Sequence, residues 1–449
     1  MLRNKGTAGK LTISIILANL FLSLNPCWFR NGTARADQLP IEADSQAKTS
    51  NIETQEPGKG APYHTPLAGE AGRAAFLGYP VEIPALDRGH MTSITLGGSL
   101  LTPKQDDTRA IPFAALYLRR VEEDYRTRDT ISIFVNELEY DKRFGNLELV
   151  GYFENYNIPG AHTELGGGRE IKSTAVVWGT LLGGLGPGLR FAMDPYEVDN
   201  DLRIQLLGRA GYFYAGRDHD TGADQLLPPD TLLYGAKLRV RYDCLRRNLL
   251  ELPHVGFATG FDVDYLSRDR WRDLAGSTLS AGNRDYFQVN GYFVGAGGIP
   301  GLSERNRALL SLHAGTTARN KGDRYNAFRI NGGPFPSEAD DLPRQHYTGI
   351  VYDDILASNF ATVSLGYRRE LAFFIYLTLV ESYLWADRVS AKDTGQVFLK
   401  STTAVSSTAS LDCAFFWNSE FYLAYAWDSG VIRGGKSGSG VLLTWNKLF

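Results

Sequence analysis

The 449-residue sequence has only three cysteines, no excess of positive charge and, beyond its N-terminus, no apolar run long enough for a membrane helix. Each shortage removes a class of protein. Cys27 lies in a leader-like segment, leaving Cys244 and Cys413 in separate strand-like stretches. Two isolated cysteines are not a disulfide framework and read as small packing residues. The longest later apolar stretch is LAFFIYLTLV, residues 371–380, half a helical span and the right length for a membrane strand. Lysine-rich helical patterns are missing, and no compositional break marks a second domain after about residue 90.

Phosphate-binding helices are missing too. GVIRGGKS, Gly430 to Ser437, matches the P-loop pattern, whose glycine N–H groups wrap a phosphate at a helix N-terminus. Here GSGVLLTWNKLF follows, with Val441, Leu443 and Trp445 alternating, and SEFYLAYAWD precedes it. The pattern predicts two strands joined by a glycine-rich loop, no bound nucleotide, and Lys436 as a solvated charge. The glycines at 295, 297 and 301 likewise lack a following helix. Asp218, His219, Asp220 and Asp224 share one predicted loop. An Asp–His pair can activate water, as in some barrel proteases, and the alternating carboxylates have the spacing of calcium ligands. The sixth-position glycine and closing glutamate of an EF-hand are absent, so these four read as solvated loop residues. No serine–histidine arrangement suggests a phospholipase. The expectation is a protein that is not an enzyme and needs no metal or cofactor.

What is present starts with a secretory signal. MLRNKGTAGK carries only positive charge, LTISIILANLFLSL is apolar, and Ala34-Arg35-Ala36 is a cleavage site of the A-x-A type. Residues 1–36 are read as signal peptide; Asn25-Pro26 before Cys27 makes a poor lipoprotein site. Removing that segment deletes five basic and no acidic residues, leaving 42 Lys and Arg against 50 Asp and Glu. No general pull toward nucleic acid follows. Residues 37–88 are polar, unpatterned and read as a flexible periplasmic linker.

Residues 89–449 repeat one device, about ten alternating residues and then a turn. Strands are predicted near 91–101, 111–121, 130–140, 145–156, 172–182, 187–193, 202–214, 231–243, 255–267, 284–296, 306–317, 358–370, 371–384, 404–416, 419–428 and 438–449. These are sixteen, an even number, as a closed bacterial barrel has. With the first strand running outward, the long connectors at 215–230, 268–283, 317–357 and 385–403 all fall outside. Hydrocarbon leaves no backbone group unpaired, so such strands must close on themselves. The fold expected is all-β, a transmembrane antiparallel barrel of about sixteen strands. Trp178, Trp385, Trp417, Trp427 and Trp445 are expected in interfacial girdles against outer-membrane lipid.

Four segments then carry a family resemblance: YDCLRRNLLELPHVGF (242–257), FRINGG (328–333, with Gly332 and Gly333), VSLGYRREL (363–371) and the terminal RGGKSGSGVLLTWNKLF. In this order they resemble the barrel of the Omp85 superfamily, the surface-antigen D15-type domain, from about Tyr242 to Phe449. Val441, Leu443, Trp445 and Phe449 resemble its terminal strand signal. The resemblance implies a long loop inside the lumen, held by an arginine that reaches an acid on the thirteenth strand. Arg344 and Glu381 fall at those places. In Arg344-Gln345-His346-Tyr347 the family's glycine is absent and the aromatic, Tyr347, displaced. Simple parity puts Glu381 on the face of Leu377 and Leu379, so the pair needs a luminal apolar face or a bulge. Family members that assemble or secrete proteins carry periplasmic POTRA modules, for which 37–88 is too short.

The resemblance implies insertion or translocation of outer-membrane proteins through a weak seam between the first and last strands. The alternatives are a gated pore plugged by the 317–357 loop, or a barrel anchoring a separate partner. Unfolded outer-membrane proteins, or a periplasmic or surface protein, are the expected partners. An unzippable seam predicts few hydrogen bonds between the end strands; a pore predicts a full seam and a clear lumen.

Overall fold

Period-two alternation is realised as a closed wall of sixteen antiparallel strands. They are β1 (His90–Pro103), β2 (Arg109–Val121), β3 (Tyr125–Ser132), β4 (Val135–Phe144), β5 (Leu147–Asn157), β6 (Arg169–Ala192), β7 (Asp201–Gly216) and β8 (Thr231–Asp243). Then follow β9 (Pro253–Arg268), β10 (Asp285–Gly298), β11 (Asn306–Thr317), β12 (Ile355–Ala372), β13 (Ile375–Ala391), β14 (Val397–Phe415), β15 (Ser419–Asp428) and β16 (Gly438–Leu448). The computed structural model describes residues 63–449 except 77, 104–107, 134, 158–161, 167–168, 194–197, 272–283, 319–321, 331, 337–340, 349–354, 392–396, 416–418 and 430–436. The predicted signal segment and residues 37–62 lie outside the described residues, as do Trp417 and most of GVIRGGKS.

Closure runs through β16 and β1, whose register pairs Gly438 with Pro103 and Leu448 with Ser93. On β7, Ile204, Leu206 and Tyr212 face out, while Arg203, Gln205, Arg209 and Phe213 are buried inside. Moving each outward leucine from water into hydrocarbon contributes about 1.5–3 kcal/mol, which favours this parity over its reverse. The longest connectors, 217–230, 269–284 and 318–354, share one end, while the connector at the other end shrinks to two residues at Phe373 and Phe374.

The count of sixteen conceals two compensating differences. The predicted strand at 130–140 is two strands. Ser132 turns the chain: its N–H donates to Asn136 Oδ1 (3.0 Å) and its Oγ–H to the Val135 carbonyl (2.6 Å). A turn made by side chains across Ser-Ile-Phe-Val carries none of the usual glycine or proline marks. Conversely, the predicted strands at 172–182 and 187–193 are one, β6. Its glycines mark close approach and not a turn: a Cβ on Gly184 would overlap the Tyr152 ring of β5, and one on Gly186 the Leu206 carbonyl of β7. Pro187, without an N–H, falls where β6–β7 pairing lapses between Leu185 and Gly188.

Residues 63–88 are not a featureless linker. Gly72–Phe76 and Tyr79–Ile83 form a hairpin at the short-connector end. Val81 and Ile83 pack against Leu249, Leu250, Leu252, Phe373 and Phe374. Cys244 and Cys413 are buried and not joined in a disulfide.

Candidate functional site: the plugged lumen

The connector between β11 and β12 folds into the barrel, and the wall is shaped to receive it. On β12 to β14 a patch of inward positions is small: Thr362, Ser364, Ser382, Ala386, Ala404 and Ser406, all buried. That leaves room for Tyr347, fully buried with Phe328, Ile330, Phe360 and Leu384. The Thr348 hydroxyl lies 2.8 Å from Ser382 Oγ and 2.9 Å from Ser406 Oγ, and Ser406 donates to the Thr348 carbonyl. A short strand, Phe328–Ile330, extends the sheet by pairing with residues 355–357 of β12. Phe335 and Leu342 rest on inward Tyr292, Val294, Leu309 and Val380.

Nearer the long-connector end, Arg268 of β9 grips Asp323 through two hydrogen bonds, at 2.6 and 3.3 Å. This fork geometry resists rotation of the connector. Asp323 Oδ1 also accepts the Tyr325 and Asn326 N–H groups. Tyr325 then enters an aromatic cluster with Trp178, Phe213 and Trp271, and Arg329 stacks on Tyr156 and Trp178. Trp178 is therefore not a girdle residue: it is 2% exposed and faces inward, because the connector needs an aromatic seat there. Trp427 does face outward.

The connector does not fill the lumen and leaves a cavity of about 1130 Å³ beside it. There the inward residues are charged. Arg239 donates to Glu139 at 2.7 Å, Arg241 and Lys237 pair with Asp262 at 2.6 and 3.0 Å, and Arg209 pairs with Asp264. Arg209 and Arg239 both stand over the Tyr152 ring. Charges of both signs around a space of this size are a lining for polar solutes, not a packed core.

The short-connector end is closed by the connector 244–252 and the segment leading to β1. Asn248 Oδ1 accepts the Leu250 and Leu252 N–H groups, and Glu251, at φ 55°, is the non-glycine residue with positive φ among the described residues. Its carboxylate takes Arg88 Nε and Nη2 at 2.7 and 2.8 Å. Asp199 binds Arg88 and Arg119, each at 3.2 Å. Burial pushes the Asp199 carboxyl up, but Arg119, Arg247 and Arg88 outweigh it and hold it far below the usual carboxylate range. Upstream, Thr65 donates to Glu370 at 2.6 Å, joined by Tyr63, and His64 meets Glu304 at 2.9 Å.

Arg344 and Glu381 are not brought together. Glu381 is exposed on the outer face and accepts from Ser407 at 2.9 Å. No bulge intervenes: β13 pairs without a shift from Leu377 through Asp387. Arg344 stands 3.8 Å from Asp341 within the connector. Gly332 and Gly333 border the cavity, with Gly333 at φ 109°. Val441 and Leu443 face outward, and the Phe449 N–H donates to the Thr92 carbonyl at 2.9 Å. His219 sits between Asp218 (2.9 Å) and Asp220 (3.4 Å) on an exposed loop.

No family model matches the chain, and no curated protein matches it. Among solved structures it is similar to Haemophilus ducreyi BamA lacking POTRA domains 1–3, at TM-score 0.48 and 11% identity, over 85% of this chain and 75% of that one. It is also similar to CdiB from Acinetobacter baumannii, at TM-score 0.45 and 10% identity, covering 84% and 65%. CdiB from Escherichia coli gives TM-score 0.44 and 11% identity, covering 86% and 68%.

Sequence reasoning placed a long loop in the lumen but missed the residues that hold it: Arg268, His313, Ser382 and Ser406. The signal for the last two was present, as small inward residues where other strands carry arginine and glutamate.

Proposed function

We propose that this chain is a gated translocation barrel of a bacterial outer membrane, with the 318–354 connector as its plug. One observation carries this reading: the plug is held by strands from β5 round to β14 and still leaves a charged cavity beside it. A sixteen-strand wall is wide enough for an aqueous channel, so conduction requires moving the plug and not building a path. Polar solutes or extended polypeptide segments are the class that a mixed-charge lining accommodates. The protein acts without catalysing a reaction. The long-connector end faces outside and the short-connector end faces the periplasm.

A seam-based insertion factor is the second reading, favoured by the sequence resemblance. It has to contend with a continuous β16–β1 register from Gly438 to Leu448. Planar-bilayer recording tests the first reading. The full chain should show small, infrequent openings, and replacing 318–354 with a short linker should raise conductance several-fold. A silent barrel in both forms overturns it. Depletion followed by outer-membrane proteomics tests the second: a broad fall in other barrel proteins supports insertion.

A further inference from the structure

The wall is not uniformly tall. β3 has 8 residues, the fewest of the sixteen strands. At roughly 3.3 Å per residue and a tilt near 40°, such a strand rises about 20 Å, less than the apolar band of about 25 Å. β2 has 13 residues and pairs with β1 from Arg109 onward, but with β3 only from Ala115 to Val121. Residues 109–114 therefore have a strand on one side and, among the described residues, none on the other. Pro112, which cannot donate to a ladder, sits in this one-sided stretch. The β3–β4 turn below it is apolar, with Ile131 45% and Ile133 48% exposed, as suits a turn at the depth of acyl chains.

An open sheet edge facing hydrocarbon is not tolerated unless it lines a water-filled space. Here it does: the lumen cavity reaches this edge and is lined there by Ile111, Phe113 and Ala115 of β2 and by Thr130 and Ser132 of β3. Arg128 lines the same region, 3.4 Å from Glu137.

We propose that this notch is a lateral opening between the lumen and the membrane leaflet on the long-connector side, and that it admits amphiphiles. The tail lies along Ile111, Phe113 and Ala115, and the polar head enters among Arg128, Thr130 and Ser132. The plug borders the same cavity, through Asp341 and Arg344 among others, but the opening does not depend on axial conduction. A barrel that passes no ions still takes up lipid here if the inference holds.

Photo-crosslinking tests it. The full chain carries benzoylphenylalanine at position 113 and is folded into vesicles of phosphatidylethanolamine and phosphatidylglycerol, with heat-modifiable migration confirming the fold. Position 287 serves as the lipid-facing reference, since Phe287 is exposed outward, and position 290 as the luminal reference, since Asn290 lines the cavity. Lipid adducts at 113 should fall within about threefold of position 287 and exceed position 290 by roughly tenfold, because a fully paired wall excludes lipid from the lumen. Adducts at 113 no higher than at 290 overturn the proposal, whether both are low or both are high. Position 111 repeats the measurement should the variant at 113 fail to fold.

Discussion

His313 on β11 and His346 on the luminal connector hold their rings 6.4 Å apart inside the barrel. His313 Nε2 lies 2.8 Å from the Leu342 carbonyl, and His346 Nε2 lies 3.3 Å from the Gly333 carbonyl. His346 Nδ1 is buried without a hydrogen-bond partner. The wall histidine thus touches the plug, and burial of the plug histidine outweighs the backbone carbonyls of Gly333 and Pro334 that favour a second proton.

Acid should therefore loosen the plug. Burial pushes His346 down to about 3, with His313 and Arg344 acting in the same direction. Released into water, the imidazole regains its usual value near 6.5. Between about pH 6.5 and 3 the released connector binds a proton that the seated one does not. The seated form then loses up to about 1.4 kcal/mol per pH unit, roughly tenfold in population. Protease cleavage within 318–354 should rise as pH falls from 7 to 4.5 and stay flat above 7. His346→Gln should lessen the slope; an unchanged slope in that variant refutes the assignment.

Arg344 and Glu381 should show no energetic coupling. One is in the lumen and the other on the outer face, so Arg344→Ala and Glu381→Ala should add within about 0.3–0.5 kcal/mol, as distant sites do. Urea unfolding of both single variants and the double variant measures this. A coupling above about 1 kcal/mol would return the pair to the barrel interior.

Much of this architecture was legible because lipid on one side and water on the other force period two, which β7 and β13 display almost without exception. What could not be read was decided by contacts across the wall. Gly184 reads as a turn glycine until the Tyr152 ring is seen lying over it. The 132–135 turn reads as strand because a serine hydroxyl does the work of a glycine. The resemblance placed Arg344 and Glu381 together, but Glu381 obeys its strand parity, and parity governs because a slip would turn every neighbour over as well. Trp178 resembles a girdle residue in sequence; only the folded plug reveals that its neighbours are aromatic.

The Gly184–Tyr152 contact gives a rescue experiment. Gly184→Ala places a methyl group into the ring, and overpacking of this kind costs about 1–3 kcal/mol. Tyr152→Ala by itself should also destabilise, since the ring carries Arg209 and Arg239. Combining the two should recover part of the Gly184→Ala loss, read as the urea midpoint in detergent. Strictly additive losses would mean that the glycine is required for a different reason.

The closure at the short-connector end should respond to acid in the opposite way from the plug. Asp199 is ionised among Arg88, Arg119 and Arg247, with its folded value depressed far below the usual carboxylate range. A depressed carboxylate contributes stability that is complete above its unfolded value, about 3.9, and is lost only as pH falls through the folded value. The segment 63–88 should therefore stay docked at pH 4.5, where the plug has loosened. Asp199→Ala leaves buried arginines facing one another, an uncompensated charge that costs about 3–5 kcal/mol. Arg88→Ala removes the link to Glu251 while leaving Arg119 bonded to Asp199 and the Arg247 charge nearby, so it should free the segment with less effect on the wall. Protease cutting between residues 63 and 88, followed at pH 7 and pH 4.5, separates the outcomes. Rapid cutting of Arg88→Ala at both pH values with a protected unmodified chain fits this latch, and equal protection of the two proteins excludes it.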